Sequence, residues 1–160
     1  MRIGITGHMN LCPATVDLVR AGIGDALAAH RDGDLVGFSC LAAGADMIFA
    51  QVVIAAGGRL AAVVSSADYR DAKVDLEDQP TYDRLLSQAA EVTVMPFETG
   101  GREAYAAANE YMLASIDRLY AVWDGRPAAG KGGTADAVSR AQSREIPVTI
   151  IWPAGAERMS

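Results

Sequence analysis

The stretch Ala121-Val-Trp-Asp-Gly125-Arg-Pro-Ala-Ala-Gly130-Lys-Gly-Gly-Thr134-Ala-Asp136 decides the reading of this chain. Leu119 to Trp123 reads as a buried strand, and residues 134–144 read as a helix. Between them lie Gly125, Gly130, Gly132 and Gly133, together with Lys131. A strand, a glycine loop and a helix in succession present backbone N–H groups and a helix N-terminus to a phosphate. Glycine admits positive φ angles and lets a ligand approach the backbone closely. The stretch therefore predicts an α/β sheet with an anion-binding loop. Gly130, Lys131, Gly132, Gly133 and Thr134 are its phosphate contacts, and Thr134 is also placed to cap the helix.

The same alternation runs through the rest of the chain. Arg2 to Thr6 reads as a short buried strand. Val16, Val19, Ile23, Ala26 and Leu27 recur at helical spacing, which predicts a helix over 14–30 behind Pro13. Leu35 to Ser39 is a second strand, Ala42 to Ala56 a helix ended by Gly57-Gly58, and Leu60 to Val64 a third strand. Residues 65–79, rich in Asp68, Arg70, Asp71, Lys73 and Asp75, read as a surface loop. A helix from Pro80 to Ala90, a strand from Val92 to Met95, a helix from Arg102 to Ile116 and a last strand from Pro147 to Trp152 complete the series, followed by a frayed tail. This order predicts a Rossmann-like, doubly wound parallel sheet of about six or seven strands with helices on both faces. Right-handed crossovers put strand two beside strand one and strand three beyond it. With no repeat and no linker, residues 1–160 read as one domain.

In such a sheet ligands bind beyond the carboxyl ends of the strands, near the point where strand order reverses. That rule gathers Gly7–Asn10, Ser39–Asp46, Ser65–Ser66 with Pro96–Gly101, and Asp124–Asp136. Ribose or base contacts are expected at Gly7, His8, Met9, Gly44, Ala45, Asp46, Asp124, Gly125 and Asp136. Each has a plainer reading beside it. Asp46 and Asp136 are also first-turn acids that favour a helix dipole, and Asp124 also suits a turn cap.

Two nucleotide motifs fail on inspection. Gly4-x-x-Gly7 lacks the G-x-G-x-x-G of a dinucleotide site, and no acid closes the second strand. Gly125-Arg-Pro-Ala-Ala-Gly130-Lys131 fits the start of a P-loop, but Gly132 stands where Ser or Thr would ligate magnesium.

Composition narrows the partners. The formal net charge is −6, from 14 basic and 20 acidic residues, and the only lysines are Lys73 and Lys131. This balance argues against a nucleic-acid partner. Cys12 and Cys40 form no CxxC pair, and the two histidines, His8 and His30, lie far apart, so no metal site or cofactor is expected. The chain starts directly as a strand, without a signal-peptide pattern, and no apolar run reaches membrane-spanning length, which makes cytoplasmic the expected location.

Ser39-Cys-Leu-Ala-Ala-Gly44-Ala45-Asp46 resembles the S-G-L-A-x-G-x-D stretch of the DNA-processing protein A family, with Cys40 in place of its glycine. Gly130-Lys-Gly-Gly133-Thr134 resembles the P-G-G-x-G-T loop of the LOG-like, or lysine-decarboxylase-like, phosphoribohydrolases. Here Ala129 replaces the proline and Lys131 the second glycine. Both belong to the Rossmann-like SLOG superfamily, and Asp117-Arg-Leu-Tyr-Ala-Val-Trp-Asp-Gly125 also looks like its compact, nucleotide-sensing members. The resemblance implies a nucleotide or nucleotide-derived ligand held by its ribose phosphate, in a sensor or carrier. It also allows a phosphoribohydrolase acting on a nucleoside 5′-monophosphate, or a scaffold associated with single-stranded DNA. The glutamate and arginine of the enzymes fall at Ala137 and Ala108, which leaves only Glu103, Glu110 or Asp46 to supply a carboxylate. The resemblance further implies a homo-oligomer, and the alanine-rich helix 102–116 is a candidate self-complementary face.

Overall fold

The computed structural model describes residues 1–30, 34–127 and 133–159. The elements are β1 (Arg2–Gly7), α1 (Pro13–Ala29), β2 (Val36–Ser39), α2 (Ala45–Ala55), β3 (Arg59–Val64), α3 (Tyr69–Lys73), α4 (Gln79–Gln88), β4 (Glu91–Val94), α5 (Arg102–Ser115), β5 (Arg118–Val122), α6 (Thr134–Ser143) and β6 (Val148–Ile150). The six strands form one sheet in the order β4-β3-β2-β1-β5-β6, and every pairing is parallel. Strand order thus runs outward from β1 to β4, then reverses, with β5 on the other side of β1.

Parallel strands are covered on both faces, so they read as continuous apolar runs. Ile3 and Ile5 point to one face, where Val19, Ile23 and Leu27 of α1 meet Phe49 and Val53 of α2. On the opposite face Ala108, Met112 and Leu113 of α5 and Ala141 of α6 pack over Phe38, Ala61, Val63 and Leu119. Leu41, Leu60, Ala62 and Val64 form a third cluster with Tyr82 and Leu85 of α4. Burying each of these large side chains contributes about 1.5–3 kcal/mol before chain entropy is subtracted.

Two expectations change. The segment 65–79 is not a plain surface loop, because it contains α3, with Tyr69 and Val74 buried in the third cluster. Its many charges flank two inward-facing side chains, and that hides the helix from a composition reading. The C-terminal tail is not frayed either. Leu11 and Arg158 form an antiparallel bridge, Met159 N donates to Asn10 O at 2.7 Å, and Glu157 N donates to Thr15 Oγ1 at 2.8 Å. The tail is pinned to the β1–α1 connection.

Candidate functional site

The carboxyl end of β1 is built to receive α2. Gly7 pairs with Val122 of β5, and His8 N donates to Val122 O at 3.1 Å. The N-cap of α2 is Gly44 at φ 82, ψ −128, a region that only glycine enters freely. A Cβ there would stand 2.6 Å from His8 O and 2.8 Å from Met9 Cα. Ala45 N then donates to His8 O at 3.2 Å, which locks the two loops together. The preceding turn is fixed by Ser39, whose hydroxyl donates to Asp46 O at 3.0 Å and accepts from Leu41 N at 3.1 Å. Leu41 is held at φ 57, a strained conformation for a branched residue, and is fully buried. The Ser39–Asp46 stretch is thus a rigid turn that aims Asp46 beyond the sheet.

Asp46 is only 8 % exposed. Its Oδ2 accepts a long bond of 3.4 Å from Ala42 N. Among the described residues no cation pairs with it. Burial pushes the carboxyl up to about 7, against the opposing effect of the Ala42 N–H. Burial, and then the charge of Asp46, also push the Cys40 thiol up, which disfavours its thiolate.

Asp46 lines a cavity of about 380 Å³ together with Met9, Cys40, Ser65, Tyr69, Lys73, Tyr105, Ala108 and Asn109. The cavity lies between the carboxyl ends of β1–β3 and the first half of α5. Its volume falls in the range of small-molecule sites. Ser65, 3 % exposed, contributes a hydroxyl with no hydrogen-bond partner among the described residues. A buried hydroxyl without a partner is rare, and it marks a place where a ligand atom or water completes the bond.

A second cluster stands at the reversal of strand order, where β1 and β5 end side by side. His8 Nε2 lies 3.4 Å from Asp124 Oδ1, and Asp124 N donates to His8 Nε2 at 3.2 Å. Arg158, carried in by the tail, places Nε 3.6 Å from Asp124 Oδ2 and Nη1 3.1 Å from His8 Nδ1. Trp152 meets the imidazole edge-on at 5.7 Å. Burial lowers the His8 value, Arg158 lowers it further, and Asp124 opposes both. Burial raises the Asp124 carboxyl, but the Arg126 N–H and the charges of His8 and Arg158 together hold it below its ordinary value.

The structure brings Gly7, His8 and Met9 together with Gly44, Ala45 and Asp46, and sets Asp124 beside His8. Gly125 follows Asp124 as an exposed turn residue. Gly130, Lys131 and Gly132 lie outside the described residues. Thr134 is not the N-cap of α6: Gly133 holds that position, no side chain among the described residues caps the helix, and Thr134 is its first residue and buried. Asp136 bonds Arg140 Nε at 3.0 Å on its own helix. Glu110 is engaged by Arg140 and Arg144, Glu103 is exposed in the first turn of α5, and Ala137 is buried. Sequence reasoning missed Ser65 as a single residue, Tyr69, Lys73, Tyr105, Asn109 and Arg158. Only the placement of Ser65 at the end of an apolar strand hinted at any of them.

Asp75, Glu77 and Asp78 bring carboxylate oxygens within 4.8 Å of one another on a largely exposed turn, where acidic groups commonly gather without an ion. No helix among the described residues is long and apolar enough to cross a membrane.

No protein-family model matches the chain, and no curated protein sequence does. Solved structures do. DNA processing protein A (DprA) from Streptococcus pneumoniae superposes with a TM-score of 0.69 at 17 % identity, over 93 % of this chain and 49 % of that one. DNA processing protein A from Helicobacter pylori, described for its single-stranded DNA binding mode, gives 0.67 at 14 % identity, over 94 % of this chain and 64 % of that one. The Moco Carrier Protein of Chlamydomonas rheinhardtii gives 0.54 at 16 % identity, over 93 % of this chain and 74 % of that one. The chain thus spans about half the length of the first protein and under two thirds of the second. The expectation against a nucleic-acid partner is corrected by the second comparison, since a protein of this architecture binds single-stranded DNA. The net charge of −6 describes the whole surface and does not decide what one cleft accepts. The six-stranded parallel sheet, its reversal beside β1 and these superpositions together identify the architecture: the chain has a Rossmann-like α/β fold, the one it shares with DNA processing protein A and the Moco Carrier Protein.

Proposed function

We propose that this chain binds a nucleotide or nucleotide-derived ligand, as a sensor or carrier, at the cavity beyond β1–β3. The observation that carries the reading is the pairing, in one cavity of about 380 Å³, of the buried Asp46 carboxyl with the unpartnered Ser65 hydroxyl. Both are polar groups that burial penalises unless a ligand or water engages them. Lys73 lines the same cavity and offers a cation to a phosphate. The Gly130–Thr134 loop remains the proposed phosphate cradle. Ala108 lines the cavity where an arginine of the phosphoribohydrolases is expected, which favours holding the ligand over cleaving it. The proposal takes the cytoplasm as the compartment, with Cys12 and Cys40 as free thiols, and self-association through α5.

Titration calorimetry with a panel of nucleoside monophosphates tests this reading. Saturable binding is expected, and Ala42→Phe, which adds bulk at a residue that also lines the cavity, is expected to abolish it while the protein stays folded. A flat panel with folded protein sinks the proposal.

The likeness to DNA processing protein A favours a second reading, in which the bound nucleotide belongs to a single DNA strand. Fluorescence anisotropy of a labelled oligonucleotide distinguishes the two. Strand binding weakens steeply with salt, whereas a single mononucleotide shows a much shallower dependence.

A further inference from the structure

We propose that the cavity selects a guanine-type base, a heterocycle presenting a ring N–H beside an exocyclic amino group, with the Asp46 carboxylate as the acceptor of that donor pair. The inference rests on the nucleotide-binding reading above and names the part of the ligand that Asp46 meets.

Three observations converge on a base. The first is the shortage of donors around Asp46. The carboxyl is 8 % exposed, and Ala42 N reaches it only at 3.4 Å. Among the described residues no arginine, lysine or histidine forms an ion pair with it. Two parallel donors on one ligand edge satisfy both carboxylate oxygens in the way a guanidinium does. Adenine, uracil and cytosine each set a donor beside an acceptor on that edge. The acceptor lone pair would oppose the second carboxylate oxygen.

The second is Ser65. Its hydroxyl lines the same cavity with no partner among the described residues, and it is free to donate to a ring nitrogen or carbonyl of the ligand. The third is the wall. Tyr69 and Tyr105 line the cavity, one buried and one 39 % exposed at its rim, and aromatic side chains are the usual neighbours of a flat base. A ribose diol would also offer two donors. It has no flat face for the two tyrosines, and it comes with every nucleotide alike.

Calorimetric titration of the full chain with GMP, IMP and AMP separates these possibilities, because IMP differs from GMP only by the missing amino group. GMP is expected to bind at least about tenfold more tightly than IMP or AMP, as for a site whose buried acceptor is left unpaired by the analogue. Asp46→Asn is expected to bring the GMP-to-IMP ratio close to one. The wild-type ratio alone is decisive if the variant fails to fold. Binding of all three within about twofold overturns the guanine edge and leaves the nucleotide site standing. No binding of any of the three overturns both.

Discussion

The His8 carbonyl lies 2.6 Å from the point where a Cβ on Gly44 would stand, while it accepts the Ala45 N–H at 3.2 Å. The end of β1 and the start of α2 are therefore fitted backbone to backbone. Gly44→Ala must relieve a clash with main chain and also adopt φ 82, ψ −128. A loss of about 3 kcal/mol or more is expected, from backbone strain and overpacking together. Urea denaturation measures it, and a loss under about 1 kcal/mol would mean that the loop relaxes freely.

Gly7 makes the neighbouring contact through side chains. A Cβ there would meet Ala45 Cβ at 2.5 Å and Val122 Cβ at 2.7 Å. Gly7→Ala is expected to destabilise by about 1–3 kcal/mol. Ala45→Gly should recover part of that loss in the double variant. Strict additivity of the two changes would show that they do not share the space.

Asp46 carries a pH-dependent penalty. Its carboxyl sits near 7 in the fold and near 3.9 in the unfolded chain. Between these values the folded protein binds more protons than the unfolded chain, so this group lowers stability as pH rises through that window. Above pH 7 the full penalty is present, on the order of 2–4 kcal/mol. Asp46→Asn, the variant expected to lose base selectivity, is therefore expected to be more stable than the parent at pH 8 and nearly equal to it at pH 4. Melting temperatures at the two pH values check this, and an equal difference at both would contradict the shift.

His8 responds to two charges of opposite sign. Arg158→Ala removes a cation and is expected to raise its titration midpoint, whereas Asp124→Asn is expected to lower it. Because burial and Arg158 hold the folded value below the unfolded one, the unfolded chain takes up protons first as the solution is acidified. Stability linked to His8 therefore falls below about pH 6.5, and Arg158→Ala softens that fall. Imidazole resonances followed by NMR read both midpoints. Movement in the reverse direction would mean that the tail does not hold Arg158 against the ring in solution.

The fold was legible because the apolar strands Ile3–Ile5, Leu60–Val64 and Leu119–Val122 are separated by amphipathic helices, and a parallel sheet demands that pattern. Asp46 and His8 were legible because strand ends fix where loops gather. Tyr69, Lys73, Tyr105 and Asn109 were not. They reach the cavity through packing of α3 and α5, which no local spacing encodes. Arg158 was invisible for a similar reason. It comes within reach of His8 only because Glu157 and Met159 bond back to Cys12, Thr15 and Asn10 across the chain. Thr134 shows the reverse case, since a strong capping preference in sequence gave way to a glycine already in place one residue earlier.

β1 is flanked on both sides, by β2 and β5, whereas β4 and β6 are the outer strands. The outer strands leave Val92, Val94 and Ile150 about half exposed, so they are the first to open in local fluctuations. The His8 amide, bonded to Val122 O, and the Ala45 amide, bonded to His8 O, belong to the interior. Their protons should exchange with solvent only when the whole molecule unfolds, hours after those of β4 or β6 under the same conditions. The junction between the end of β1 and the start of α2 is therefore expected to have no independent melting event: it persists through fraying of either sheet margin and disappears together with the fold.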